Sequence, residues 1–288
     1  MPLIQDQNSR GVFELSLMRK GLGFYLLFYY LPFFPQLKEF FYDHQMIDRF
    51  LISPPLPSLL FLFSSHASLY VLYFLLLIFS FFLLQDKLSK LELFFLYLLN
   101  LSFHHANPLL IHEPQQITNY LLIVLLFFST QKNKKIDFFL FQMVISFLAF
   151  YYFVAGFKKL FDPLWLSGSA LEKLLKWEGL GRFELSAFAQ ASYFSRLIFN
   201  FLNYFVLLLE LSVPFWMFTR RRSAGLILLI LMHLGIKIFM DVGSFSEIMI
   251  VWQFCAWDKK TRSDFLSLIL KLVPRRGLEP PHHMDTGF

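Results

Sequence analysis

The sequence predicts an all-α fold, a polytopic transmembrane helical bundle of about eight spans with interfacial amphipathic helices. Three observations carry that reading. Of 288 residues, 57% are hydrophobic and 20% aromatic, Phe alone fills 40 positions, and the mean hydropathy is +0.55. Only 16% are charged, where soluble domains carry about a quarter. The charges also cluster, leaving uncharged gaps at 21–37, 50–85, 93–112, 114–131 and 138–157, then at 197–209, 223–236 and 248–257. This composition excludes a disordered protein, a nucleic-acid-binding domain and an ordinary soluble enzyme. A single cysteine, Cys255, excludes an internal disulfide and a Cys-rich metal site.

A hydrocarbon core of about 30 Å needs about 20 apolar residues in a helix, because lipid offers no partner to backbone N–H and C=O groups. On that rule the spans fall at 21–41, 59–84, 88–105, 117–131, 137–157, 197–218, 223–241 and 244–257, the last being short for a crossing. Pro32 and Pro35 kink the first span or end it early. Arg19 and Lys20 precede that span and no small-residue cleavage site follows it, so it is expected to stay as an anchor.

Orientation follows from the basic residues. Arg10, Arg19 and Lys20 precede the first span, Lys87 and Lys90 separate the second and third, and Lys132, Lys134 and Lys135 separate the fourth and fifth. Arg220, Arg221 and Arg222 lie between the sixth and seventh, and Lys259, Lys260 and Arg262 follow the eighth. The alternation puts both termini in the cytoplasm, and the net charge of +6 is mostly a topology signal. The expected layout is a cytoplasmic segment at 1–20, a transmembrane domain at 21–257 and a cytoplasmic tail at 258–288.

Between spans, residues 42–58 read as a Pro-rich outer loop. Residues 164–182 read as one interfacial amphipathic helix, with Leu, Trp and Ala on one face and Glu172, Lys173 and Lys176 on the other. The tail holds a second short interfacial helix and a disordered end. His282 and His283 have no third ligand near them and are not read as a metal site.

Three segments could carry chemistry. The first is YYFVAGFKKL at 151–160, which sets Lys158 and Lys159 at the outer end of a charge-free span. Both lysines snorkel to the headgroups, or one turns inward; an amine in an apolar pocket favours its neutral form and serves as a base. Gly156 lets another backbone pack close to that helix end. The second segment is HLGIKIFMDVGSFS at 233–246, where His233, Lys237 and Asp241 share a helix face. His233 lies about 12 Å below Asp241 along the axis, deep enough to face the bundle interior as a hydrogen-bonded neutral ring or as a functional group. Glu210, a further ionisable residue inside a span, is expected to pair with Arg196 or a lysine. The third is the outer loop with His104, His105, Asn107 and His112, whose spacing fits no zinc pattern and which reads as loop polarity. No metal is expected.

The first two segments resemble a known family. YYFVAGFKKLFDPLWLSG closely resembles the Tyr-Phe-x-Ala-Gly-x-Lys-Lys-Leu stretch, followed by Trp and Gly, of the vitamin K-dependent gamma-carboxylases. HLGIKIFMDVGSFS resembles that family's later His…Gly-x-Phe-Ser segment. In order, separation and side of the membrane the pair looks like the HTTM (horizontally transferred transmembrane) domain, and the likeness covers about 20–257. The resemblance implies a general base at Lys159, with Lys158 beside it and His233 as a pocket hydrogen-bonding or proton-relay group. It also implies ligand contacts from Tyr152, Gly156, Trp165, Gly168, Lys237 and Phe245, with Trp165 and Gly168 at the outer rim.

The implied cofactor is vitamin K hydroquinone or a related prenylated quinone, whose hydroxyl should ionise somewhere near the pKa of Tyr, about 10. The implied reaction takes a proton from the reduced quinone and couples that step to glutamyl carboxylation or a related reaction. Expected partners are membrane lipid, the lipophilic quinone, and an extracytoplasmic Glu-containing protein or a separate capture domain; nucleic acid is not expected. The carboxylases carry a large extracytoplasmic domain that has no counterpart in this sequence. A non-enzymatic membrane interaction or assembly protein that keeps the fold is therefore the rival expectation.

Overall fold

The longest uncharged gaps become helices. The computed structural model describes residues 2–41, 66–106, 113–128, 134–177, 180–182, 192–219 and 222–257. Its helices are α1 (Pro2–Tyr30), α2 (Leu37–Phe41), α3 (His66–Leu84), α4 (Lys90–Ala106), α5 (Glu113–Phe128) and α6 (Lys134–Lys159). These are followed by α7 (Pro163–Leu166), α8 (Ala170–Lys176), α9 (Tyr193–Met217), α10 (Arg222–Phe239) and α11 (Phe245–Cys255). Apart from one isolated antiparallel bridge between Gly181 and Met240, the described residues contain no β-structure.

Each of the eight segments expected to span contains a helix. Three of them, α3, α9 and α10, are long and apolar enough to cross a membrane, and α11 and residues 114–127 of α5 are shorter apolar helices. The α1 helix extends back to Pro2, further than the start at residue 21 that the charges suggest. Pro32 and Pro35 act as expected: the α-helix stops at Tyr30 and the chain tightens into a 3₁₀ turn over Leu31–Gln36. The Pro-rich loop expected at 42–58, together with Asn107, His112 and the tail at 258–288, lies outside the described residues.

The single amphipathic helix expected at 164–182 is instead two short ones. Asp162 caps α7 by accepting the Leu164 N–H at 2.8 Å, and Pro163 fits the first turn, where no N–H is needed. Gly168 then breaks the chain with φ +77°, a conformation an L side chain resists. The two-sided character survives the break: Trp165 and Ala170 are buried, while Lys176 pairs with Glu172 at 2.6 Å on the other side.

Helices α6 and α9 pack together most extensively, with α1 against α3 next, and α1 also touches α5, α6 and α11. Lipid tails are as apolar as Leu, so helices in a membrane associate through close packing rather than through the hydrophobic effect. Gly23 supplies such an approach. A Cβ there would lie 2.3 Å from the Leu84 N and 2.7 Å from the Ser80 O, so α1 and α3 touch backbone to backbone. At the end of that pair Arg19 is buried, bonding Asp86 at 2.8 Å and the Leu88 carbonyl, which fixes the α3–α4 turn. Ser89 and Glu92 then form a reciprocal capping box that starts α4.

The outer faces are apolar: Phe28, Phe150, Phe201 and Phe215 are all exposed. An apolar surface of that extent needs a cover other than water, and lipid against a set of membrane-length helices supplies it. Gly23→Ala is expected to force α1 and α3 apart and to destabilise the bundle by about 1–3 kcal/mol. Thermal unfolding of the detergent-solubilised variant checks this, and an unchanged midpoint would contradict the packing described.

Candidate functional site

Two helices set the centre of the site. On α6, Tyr152 and Lys159 are seven residues apart and share one face, while Lys158 turns to the exposed side. On α9, Glu210 is buried. Gly156 lets the helices meet: a Cβ there would lie 3.1 Å from the Glu210 Cβ, the Leu211 Cγ and the Leu211 N. The Lys159 Nζ consequently reaches both carboxylate oxygens of Glu210, at 2.7 and 2.5 Å, and lies 5.0 Å from the centre of the Trp165 ring. An ammonium over an indole face is attracted by the ring quadrupole.

This geometry corrects the sequence reading of Lys159 as an isolated neutral amine. The lysine turns inward, as one of the two readings requires, but it does so as half of an ion pair. A buried carboxylate is tolerated only when paired and hydrogen-bonded, and Glu210 draws in the nearest cation. Of the partners anticipated for Glu210, a lysine is the one found.

Trp165 is held by its backbone. Asn203 of α9 donates to the Trp165 carbonyl at 2.8 Å, and Tyr204 donates to the Leu166 carbonyl at 2.7 Å. The indole is thus buried beside the lysine and lines the adjoining cavity. Gly168 packs against Asn200, and its part is to turn the chain.

A second polar chain lies deeper. Gln253 of α11 donates from Nε2 to the Tyr152 hydroxyl, and that hydroxyl lies 2.6 Å from His233 Nε2. His233 is 1% exposed, and Phe245 meets its ring edge-on at 5.5 Å. His233 is therefore interior, as its depth in the span predicts. Lys237 and Asp241 do not share its surroundings. Lys237 turns outward to Glu247 and to the Gly243 carbonyl at 3.2 Å, and Asp241 lies past the end of α10, with Arg182 at 3.4 Å. A helix advances 40° beyond a full turn every four residues, so the face expected to be common is lost within two steps.

The Lys159–Glu210 pair and the Tyr152–His233 chain border one open cavity of about 460 Å³. Lys158, Lys159, Glu210, Tyr152, His233, Trp165 and Phe245 line it, with Phe147, Phe150, Met232 and Met240 among its apolar walls. Of the expected ligand contacts, Gly156, Gly168 and Lys237 are not in the lining. Gln253 and Glu210 complete the constellation without having been expected in it. Glu210 had a signal, being the only charged residue between Arg196 and Arg220; Gln253 had none.

The histidine loop is also corrected. His104 belongs to α4, is buried, and sits in a network with Tyr30, Asn100 and Asn119. Tyr30 donates to the Asn100 carbonyl oxygen at 2.9 Å, and Asn100 donates to Asn119 at 2.7 Å. The network ties α1, α4 and α5 together, and polar side chains inside a bundle act as interhelical links of this kind.

The chain matches no protein-family model, no functionally characterised protein and no solved structure.

Breaking the Lys159–Glu210 pair from one side leaves a buried charge alone. Lys159→Met by itself should therefore cost about 3–5 kcal/mol, whereas Lys159→Met combined with Glu210→Leu should restore most of that stability. Denaturant titration in micelles checks the difference. Two single effects that merely add would mean the residues do not interact.

Proposed function

We propose that this chain is a multi-pass membrane protein that binds a reduced, prenylated quinone in the lateral cavity between α6, α9 and α10 and takes a proton from it. The observation that carries the reading is the Lys159–Glu210 ion pair set into the wall of an otherwise apolar cavity. In this reading eight helices, α1, α3–α6 and α9–α11, cross the bilayer, both termini are cytoplasmic, and the Lys159 end of α6 is extracytoplasmic. The alternation of basic residues between spans supports that orientation.

The residues present suit the ligand class. Phe147, Phe150 and Met232 offer a greasy surface to a ring and an isoprenoid chain, and the charged groups gather in one corner. Sites of this kind are mostly apolar with a few converging polar groups. A bound reduced quinone supplies ring hydroxyls of phenolic acidity and, with oxygen, an oxidisable ring that generates a strong base.

Glu210 Oε is the proton acceptor within this pair, because the Lys159 Nζ already donates to it and has no lone pair to offer while it does so. Lys159 holds its positive charge beside the oxygen that gives up the proton, which stabilises the charge left there in a site with little water. The role given to Lys159 alone by the family resemblance is thereby shared: Glu210 moves the proton and Lys159 steadies the charge. Coupling of this step to glutamyl carboxylation rests on the resemblance to the carboxylases.

A second reading has its own observation. Both oxygens of Glu210 are satisfied by Lys159 without any ligand, as expected of a clamp that locks α6 to α9. In that reading the protein is a non-enzymatic interaction or assembly subunit.

Turnover separates the two. Glu210→Gln and Lys159→Ala are each expected to reduce oxygen-dependent quinol epoxidation in isolated membranes by about 10²–10⁴-fold, with the protein still inserted. Full turnover in both variants would remove the pair from the chemistry, and no turnover by the wild-type chain would leave only the clamp. For the topology, single-cysteine variants in a Cys255→Ser background should label from the cytoplasm at positions 10 and 260 and from outside at position 158. Labelling of position 158 from the cytoplasm would contradict the orientation.

A further inference from the structure

The short helix α8 walls one end of the cavity. Its Leu171 and Leu174 line that end together with Lys158 from the end of α6 and with Met240 and Val242, which follow α10. The flank differs. Phe150 also lines the cavity and is 63% exposed, and it lies about 13 Å from Lys159 along the axis of α6. The cavity therefore meets its surroundings in two places, at the apolar flank beside Phe150 and at the end wall made by α8.

The end wall is built as a separate piece. Before it, α7 is fixed to α9 by the bonds from Asn203 and Tyr204 to the carbonyls of Trp165 and Leu166. Gly168, at φ +77° and packed on Asn200 of α9, separates α7 from α8. After it, Leu180 and Gly181 fold back and donate their N–H groups to the Trp177 carbonyl at 3.0 and 3.4 Å. A Cβ on Gly181 would lie 2.2 Å from the Leu175 carbonyl oxygen, so this return needs a glycine.

The returning residues then meet the end of α10. The Arg182 N–H donates to the Phe239 carbonyl at 3.0 Å, and the Asp241 N–H donates to the Leu180 carbonyl at 2.7 Å. These two bonds make the bridge between Gly181 and Met240. Phe239 ends α10, where carbonyls lack a partner inside the helix. Lys237, bonded to Glu247 and to the Gly243 carbonyl, steadies the α10 side. Across the bridge Arg182 and Asp241 form a surface ion pair at 3.4 Å, which holds weakly. Apart from these bonds α8 offers the cavity only the apolar side chains of Leu171 and Leu174, so its departure strands no buried charge.

We propose that α8 is a lid over the end of the cavity, hinged at Gly168 and latched to α10 at Gly181 and Met240. A lipophilic ligand enters beside Phe150 while the lid is closed. A water-soluble co-reactant reaches the Lys159–Glu210 corner only when the latch is released. This rests on the cavity being a site reached from the bilayer, and it adds a second, gated route.

Thiol modification reads the two routes without reference to turnover. Ile236 lines the cavity one turn before Met240. Ile236→Cys in a Cys255→Ser chain, held in nanodiscs, would be treated with a membrane-impermeant anionic methanethiosulfonate and separately with a lipophilic maleimide. Gly181→Val forces the latch from α8, and Arg182→Glu sets two carboxylates face to face across it. The anionic reagent is expected to react about 10-fold or more faster in Gly181→Val and about three-fold or more faster in Arg182→Glu, with the maleimide rate unchanged within a factor of about two. The added negative charge in Arg182→Glu repels the reagent, so a faster reaction there reports opening. Cysteine at the fully buried Leu226 should stay protected in both variants, which shows the bundle intact.

A faster anionic reaction in either variant, with Leu226→Cys protected, supports the lid. The same anionic rate in the unaltered latch and in both variants would overturn it. Arg182→Glu alters an exposed side chain and decides the question if Gly181→Val does not fold. If the maleimide reaches residue 236 while the anionic rate never changes, the cavity reading stands and only the lid is lost. If the maleimide reaches it in none of the chains, both fall.

Discussion

The ion pair between Lys159 and Glu210 is the constraint on which the other features of this half of the bundle depend. Two charges inside an apolar bundle are costly unless they meet with good geometry. That requirement sets where α9 lies against α6 and explains the glycine one turn before the lysine. Gly156 lets the helices close to the distance at which an ammonium reaches both oxygens. Trp165 then covers the cation, and Asn203 and Tyr204 hold the indole segment in place. Loss of the pair would leave α6 and α9 with a buried charge and the cavity without its polar corner.

A second constraint acts on the other wall. Tyr152, His233 and Gln253 come from α6, α10 and α11, so one chain of hydrogen bonds joins three helices. The network of Tyr30, Asn100, His104 and Asn119 does the same for α1, α4 and α5. Where lipid removes the difference between burying a Leu inside and leaving it outside, such links and close glycine contacts determine which helix neighbours which. The abundant Phe residues contribute mass and contact area to the exterior and carry little of this specificity.

Much of the secondary structure was legible because the physics behind it is local. Each of the eight uncharged stretches read as a span contains a helix, and Pro32 and Pro35 mark the end of the first. The cavity was half legible. Lys159, Tyr152, Trp165, His233 and Phe245 lie within two short segments and converge as anticipated, and the depth of His233 in its span implied an interior position. The partner of Lys159 was harder to find, because Glu210 is 51 residues away in sequence and its direction depends on the packing of α9. Gln253 was not legible at all, since an amide in an apolar helix has no charge or spacing to distinguish it. The reading of residues 104–112 as loop polarity failed at His104 because Asn100 one turn back on the same helix, with Tyr30 of α1 and Asn119 of α5, makes a buried position favourable. Gly168 misled in the same way: read as part of one continuous helix, it is the residue that divides two.

The account reduces to the claim that a charged pair in a greasy lateral cavity receives the oxygen of a lipophilic ring. The most direct measurement is an electron cryomicroscopy structure of the chain in lipid nanodiscs with a bound geranylated naphthoquinol. The account predicts ring density among Phe147, Trp165 and Phe245, one ring oxygen within hydrogen-bonding distance of the Glu210 carboxylate, and Lys159 still beside it. A map with Lys159 extended to the headgroups, Glu210 paired elsewhere and the ring bound outside this cavity would contradict it.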